Sequence, residues 1–158
     1  MSDLDAIDLQ LLKLLQIDDQ SSLGDLGRAV GLAPSSVKER IKRLRTGRVI
    51  RGFHARVAPE ALNLDLLAFI FVGWTNPSTE PRFLARIGRE PCVLECHHVT
   101  GSWNYILKVR LRNTAMLERF LTHVVKSVPG ILRTESLIVL SSPKETSELA
   151  TEAPKWAR

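Results

Sequence analysis

The chain has 158 residues, 44% of them hydrophobic and 25% charged, which excludes a disordered protein and suits one large globular domain or two small ones. Its longest uncharged apolar run, Leu66 to Trp74, has nine residues, far short of a membrane span. Its net charge is +5 and it has only two cysteines, Cys92 and Cys96, which exclude a disulfide scaffold; Met1 to Asp5 lacks the basic-then-apolar order of a signal peptide, so a cytoplasmic protein is expected.

Leu4, Ile7, Leu11, Leu14 and Leu15 recur at helical spacing and predict an amphipathic helix over residues 4–17. Asp3, Asp5 and Asp8 fall in its first turns, where the helix dipole favours negative charge. Ser22 is a good N-cap, with Asp25 three residues on in an arrangement close to a capping box. A short helix through Leu23, Leu26 and Val30 then ends at Gly31. Pro34 opens a third helix, at the position where its missing N–H costs nothing. Val37, Ile41 and Leu44 make its inward stripe, and Gly47 stops it. The opposite face holds Ser35, Glu39, Lys42 and Thr46, flanked by Lys38 and Arg43. Two helices joined by the turn Val30-Gly31-Leu32-Ala33, the second basic on its outer face, describe a helix-turn-helix.

The charge distribution supports that reading. From Arg28 to Arg56 nine basic residues meet one acid, Glu39, so this segment carries +8, whereas residues 59–158 hold 12 basic and 10 acidic residues. A basic block in an otherwise balanced chain points to an anionic partner, double-stranded DNA first. The third helix would enter the major groove N-terminus first. Ser35, Ser36, Lys38 and Glu39 would then reach base edges, and Lys42, Arg43 and Arg45 would favour phosphates. Arg40 lies beside the inward stripe and is expected to pair with Asp5 or Asp8. Residues 49–57 read as a strand serving as a wing or a linker, from which Arg48, Arg51 and His54 could touch phosphate. The first domain is thus a winged helix-turn-helix over residues 1–58.

Leu66 to Trp74 is apolar on both faces and reads as a central strand. Thr79 caps a helix carrying Phe83, Leu84 and Ile87. Cys92 to Thr100 and Trp103 to Leu111 read as a hairpin about the two-residue turn Gly101-Ser102. With Thr100 opposite Trp103, Cys96 faces Leu107, Leu94 faces Val109 and Glu95 faces Lys108, an opposite-charge pair. Asn113-Thr114 caps a helix through Met116, Phe120 and Val124, and Ile131 to Leu140 is a fourth strand. The order β-α-β-β-α-β is that of a ferredoxin-like α+β domain over residues 59–142, followed by a polar tail over 143–158. Its open sheet face, with Ile106 and Val99 among Lys108, Arg110 and Glu95, predicts a second copy as partner. Dimerisation also suits the first domain, since a palindrome needs two recognition helices about 34 Å apart.

Over residues 3–141 the chain resembles the Lrp/AsnC family of bacterial and archaeal regulators. The resemblance rests on Leu4-Asp5, Asp8, Leu11-Leu12 and Leu15, on Gly31-Leu32-Ala33-Pro34-Ser35-Ser36-Val37 and Arg40-Ile41-Lys42-Arg43-Leu44, and on Gly47 with Val49-Ile50. In the second domain it rests on Pro91-Cys92-Val93-Leu94-Glu95-Cys96, Val99-Thr100-Gly101, Asn104 to Val109 and Pro129-Gly130-Ile131 with Arg133-Thr134. It implies a transcription regulator that forms homodimers through its C-terminal sheets, often assembling into octameric rings, with an amino-acid effector bound between dimers. Effector contacts would come from the turn Gly101, Ser102, Trp103, Asn104 and Tyr105 of one subunit and from Thr134 and Ser136 of another. The family usually has a small hydroxyl residue at Ala33 and an arginine at Gln20. Its turn commonly reads Gly-Asp-aromatic-Asp-aromatic, so Ser102 and Asn104 replace two acids.

The turn Gly101–Tyr105 could be a structural hairpin only. Cys92, Cys96, His97 and His98 suggest a metal or redox site, but in one strand the two cysteines stand about 13 Å apart, too far to share a disulfide or an ion. No metal or cofactor is expected, and the cysteines read as core residues. Some proteins of related fold decarboxylate sirohaem-type tetrapyrroles, for which His97 and His98 would be the residues to watch; the basic recognition helix argues against that, and no catalytic residue is assigned. A constitutive or architectural DNA organiser, gripping phosphates alone, is the alternative to an effector-modulated regulator.

Overall fold

Asp5 and Asp8 together start the first helix, α1 (Ala6–Ile17). The Asp8 N–H donates to Asp5 Oδ1 at 2.8 Å and the Asp5 N–H to Asp8 Oδ2 at 3.4 Å, a complete capping box. In this computed structural model residues 4–153 and Trp156 are described; Asp3, counted above among the acids of the first helix, lies outside them. The backbone divides into two units, residues up to Arg56 together with those from Glu145, and Val57–Lys144.

In the first unit, α1 is followed by α2 (Leu23–Val30) and α3 (Pro34–Thr46). Leu11, Leu15, Leu26 and Val37 are buried at their junction, with Ile7, Leu14, Val30, Ile41 and Ile50 packed around them. The Ser22 hydroxyl accepts from the Asp25 N–H, and Gly31 takes a left-handed φ of +70° to close α2. Ala33 supplies no side-chain cap to α3, so Pro34 alone shapes its start.

One expectation is corrected here. Residues 49–58 form no strand. The Val49 and Ile50 N–H groups both turn back to the Leu44 carbonyl, and beyond them no segment among the described residues runs alongside to make a ladder. An alternating sequence without a neighbour leaves its backbone groups to water, so the wing is replaced by an extended linker. The tail, from Glu145, packs with the first unit. Gln16 both accepts from the Leu149 N–H at 2.7 Å and donates to the Leu149 carbonyl at 3.1 Å. Arg56 donates to the Glu145 carbonyl at 3.1 Å, and Lys13 reaches Glu152 at 3.4 Å.

The second unit runs β1 (Leu66–Gly73), α4 (Thr79–Ile87), β2 (Val93–His98), β3 (Tyr105–Leu111), α5 (Thr114–Phe120) and β4 (Arg133–Ile138), after a 3₁₀ turn at Pro59–Leu62. A π-helical turn, Leu121–Val125, prolongs α5. The antiparallel sheet has the order β2-β3-β1-β4, so the doubly apolar β1 is central as its sequence predicts. Ala68, Ile70, Val72, Leu107 and Val109 form one buried face with Phe83, Ile87, Phe120 and Val125 of the helices. The N-cap of α4 is Ser78, not Thr79; Thr79 is its first residue and is buried.

The hairpin keeps the expected register at Glu95↔Lys108 and Cys96↔Leu107, and departs from it before Glu95. Val93, not Leu94, faces Val109, and a bulge leaves Leu94 52% exposed. The bulge spares the core: Cys92, Val93 and Cys96 all pack against it, which strict alternation would not allow. The ladder closes with the Val99 N–H on the Asn104 carbonyl.

Candidate nucleic-acid interface and ligand turn

The recognition helix is held by a buried carboxylate. Asp8, 1% exposed, accepts from Arg40 at 2.9 Å and from Arg43 at 2.7 Å. Arg40 also donates to Asp5 at 2.6 Å, and this bond holds the Asp5 carboxyl below its ordinary range. The pairing expected of Arg40 is therefore present on both acids. Arg43, expected at phosphates, has one guanidinium nitrogen on Asp8 while its side chain remains 59% exposed. Its first task is to tie α3 to α1.

The rest of the expected DNA set lies outward. Ser35, Ser36, Lys38, Glu39, Lys42 and Arg45 are all exposed on α3. Glu39 and Lys42 stand 3.9 Å apart, a loose surface pair that contact with DNA can break cheaply. Arg51 of the linker joins Lys38, Lys42 and Arg45 along an open groove of about 590 Å³ floored by Leu23, Ile41 and Ile50. Four cations along one groove suit a phosphate backbone. Sequence reasoning named these residues singly; that the linker folds back to complete their row has no signature in a local pattern.

Arg48 ends α3. The Arg48 N–H bonds the Arg45 carbonyl and the Val49 N–H the Leu44 carbonyl, a Schellman closure. Arg48 itself takes the left-handed φ of +56°, while Gly47 has an ordinary φ of −74°. The glycine sits one residue before the position that needs it. Arg48→Gly is therefore expected to stabilise the unit by about 0.5–1 kcal/mol in chemical denaturation. If Arg48 meets a phosphate, the same change also weakens DNA binding and lowers the salt slope by about 1.

In the second unit, the residues expected at a ligand divide between two faces. Trp103 lies near Phe71, with ring centroids 5.9 Å apart, and under Arg133, whose guanidinium carbon is 4.4 Å from the ring centre. Arg133, opposite Gly73, and Phe71 belong to the open sheet face. Tyr105 points the other way. It is buried against Trp74 and Phe83, and its hydroxyl donates to Glu80 at 2.6 Å. That carboxylate and the burial push its pKa up to about 12, so it is a neutral core residue at physiological pH. Thr134 and Ser136 pair with Val72 and Ile70 and share their face on the edge strand. Gly101 and Ser102 are exposed at the tip, Gly101 with φ +103°. Asn104 accepts from the Trp74 N–H at 2.8 Å, bracing the turn. Arg133 belongs to the motif that carries the resemblance, but its place beside Trp103 has no local signature, since only the sheet register brings it there.

Burial pushes the thiols of Cys92 and Cys96 up, which suits core cysteines. Among the described residues no group of three metal-ligating side chains forms, and no helix is long and apolar enough to cross a membrane.

Residues 4–45 match the AsnC-type helix-turn-helix domain and residues 67–149 the Lrp/AsnC ligand binding domain. The chain belongs to the Lrp/AsnC family of transcriptional regulators. It is 36% identical to the HTH-type transcriptional regulator FL11 of Pyrococcus horikoshii, over 92% of this chain and 95% of that one. It is 34% identical to the leucine-responsive regulatory protein of Haemophilus influenzae, over 92% and 89%. Its fold matches a Neisseria meningitidis transcriptional regulator solved with L-methionine (TM-score 0.89, 30% identity, 94% and 97% covered). It also matches the feast or famine regulatory protein of Mycobacterium tuberculosis, likewise with L-methionine (TM-score 0.85, 31% identity, 93% and 99%). As an Lrp/AsnC protein the chain is a DNA-binding transcription regulator with a ligand-binding domain, not an enzyme.

Proposed function

We propose that this Lrp/AsnC regulator acts in the cytoplasm as a homodimer or a larger closed assembly such as an octamer. It reads particular duplex sequences with α3 and responds to a small effector, an amino acid or a related metabolite, held at the Gly101–Tyr105 turn between dimers. The observation that carries the DNA reading is the outward row Lys38, Lys42, Arg45 and Arg51 beside Ser35, Ser36 and Glu39, on a helix locked to its domain through Asp8. Two features support assembly: the open sheet face with Phe69, Phe71, Ile106 and Leu137, and the unpaired linker with exposed Phe53 and Val57. The effector reading draws on the ligand-binding domain match and on the L-methionine in two structural relatives.

Lys42→Ala is expected to weaken binding to every duplex alike and to reduce the salt slope by about 1, and Glu39→Ala to change sequence preference instead. Binding isotherms on a site selected from random sequence and on a scrambled duplex, at several salt concentrations, check this. Equal losses on both duplexes for both variants would sink the assignment and favour the architectural reading.

A further inference from the structure

We infer that the helical layer of the second unit is a further duplex-binding surface, on which Arg82, Arg89, Arg119 and Lys126 hold phosphates of the DNA beyond the site read by α3. The inference rests on the reading of α3 as the recognition helix and adds a surface in the other unit. It is independent of the effector.

Charge in this unit is segregated. Residues 57–144 hold ten basic and seven acidic side chains. The excess lies wholly in the two helical segments, 79–90 and 112–126, with six basic and three acidic side chains, while the rest is balanced at four of each. Two of the three acids in the helical segments are engaged. Glu80 accepts from Tyr105 at 2.6 Å, and Glu90 pairs with Arg86. The third, Glu118, is exposed.

The cations gather about one point. Arg86 of α4 donates to the His123 carbonyl, in the turn that prolongs α5, at 3.4 Å. Arg82 and Arg89 lie four and three residues to either side of Arg86, and Arg119 and Lys126 four and three to either side of His123. Each is therefore about one helical turn, or about 5 Å along an axis, from the place where the helices meet. The Arg89 N–H bonds the Arg86 carbonyl at 3.3 Å and the Lys126 N–H the Leu121 carbonyl at 2.8 Å, so both ends continue their helices.

All four side chains are exposed, and among the described residues none has an ion pair or a hydrogen bond. Like charges one turn apart on a helix repel, so the cluster stabilises nothing within the chain. It suits a polyanion, and a duplex offers one charge for about every 1.7 Å of its axis. An anionic membrane offers phosphates too, but a face that lies in a membrane needs a broad apolar stripe. Of the large apolar residues described on α4 and α5, only Leu84 and Met116 are exposed. DNA continuous with the site on α3 is also held at high effective concentration, so weak contacts suffice.

The test compares the full chain with a fourfold variant, Arg82→Gln, Arg89→Gln, Arg119→Gln and Lys126→Gln, on two duplexes that share one selected site. The shorter has about 20 base pairs, enough for two half-sites one turn apart, and the other is four times as long. The variant should bind the short duplex within about twofold of the unchanged chain, since charges away from a duplex are screened. On the long duplex it should bind about tenfold or more weakly, with a salt slope lower by about 3. Melting temperatures check folding, and Arg82→Gln with Lys126→Gln, expected to give half the slope change, suffices if the fourfold variant does not fold.

Unchanged affinity and slope on the long duplex would overturn the inference, as would equal losses on both duplexes. A smaller assembly of the variant in sedimentation would also overturn it, giving the face to a second copy. So would pelleting of the unchanged chain with phosphatidylglycerol vesicles that the variant loses while its long-duplex binding stays intact. Lys42→Ala should weaken both duplexes. If it does not, the α3 reading fails, while a loss confined to the long duplex in the fourfold variant still upholds the helical face. Binding of the unchanged chain to neither duplex would remove both.

Discussion

Asp8→Ala is expected to destabilise the helix-turn-helix unit by about 2–3 kcal/mol and to weaken DNA binding on every sequence. Removing one partner of a buried pair strands the other charge. Here Asp8 is 1% exposed and Arg40 24% exposed, so Arg40 would keep only its bond to Asp5. The loss falls below that of a fully enclosed pair because Arg43, 59% exposed, can turn to water. The substitution also deletes half of the α1 capping box. By contrast, Arg43→Gln leaves Arg40 on Asp8 and should cost less than about 1 kcal/mol. Urea unfolding followed by far-ultraviolet circular dichroism distinguishes the two, since α1 to α3 carry much of the helix. A loss for Asp8→Ala no larger than that for Arg43→Gln would show that the buried carboxylate does not organise the unit. Acid should act in the same direction. Because Arg40 lowers the folded-state pKa of Asp5, its contribution is present above the ordinary carboxylate range and is lost as pH falls through the lowered value.

What the sequence makes legible is whatever repeats locally. Helical spacing locates the three helices of the first unit, and the position of Arg40 beside the inward stripe is enough to send it to Asp5 and Asp8. The pairing of Glu95 with Lys108 fixes half of a hairpin. The other half slips at Leu94, because a bulge depends on how Cys92 and Val93 pack beneath the sheet and not on their alternation. The linker alternates like a strand yet has no neighbour, and partnership is a property of the fold. The tail returns to α1 through Gln16 and Leu149, 133 positions apart, using groups with no preference for one another. Arg133 reaches the turn only because β4 pairs with β1 at Gly73. Long-range register is the common element in what was missed.

Phe83→Ala is expected to cost the sheet unit about 3–5 kcal/mol. Its ring is 0% exposed and packs at 5.1 Å from Trp74 and 5.3 Å from Tyr105 between centroids, so truncation opens a cavity between α4 and the ends of β1 and β3. The neighbours cannot fill it freely: Tyr105 is tied to Glu80 and the Trp74 backbone to Asn104. Phe83→Leu restores most of the volume and should recover more than half of the loss. Tryptophan fluorescence checks this directly, since Trp74 and Trp103 both lie in this unit and Trp74 touches the cavity. A loss below about 1 kcal/mol would mean that the aromatic cluster is not the centre of the core. Because Asn104 braces the Gly101–Tyr105 turn through Trp74, the variant should also weaken the ligand binding proposed there, at temperatures where the sheet is still folded. The helix-turn-helix unit has its own core, so single-site DNA contacts should survive, and a fall in affinity confined to paired half-sites would place the oligomer contact in the sheet unit.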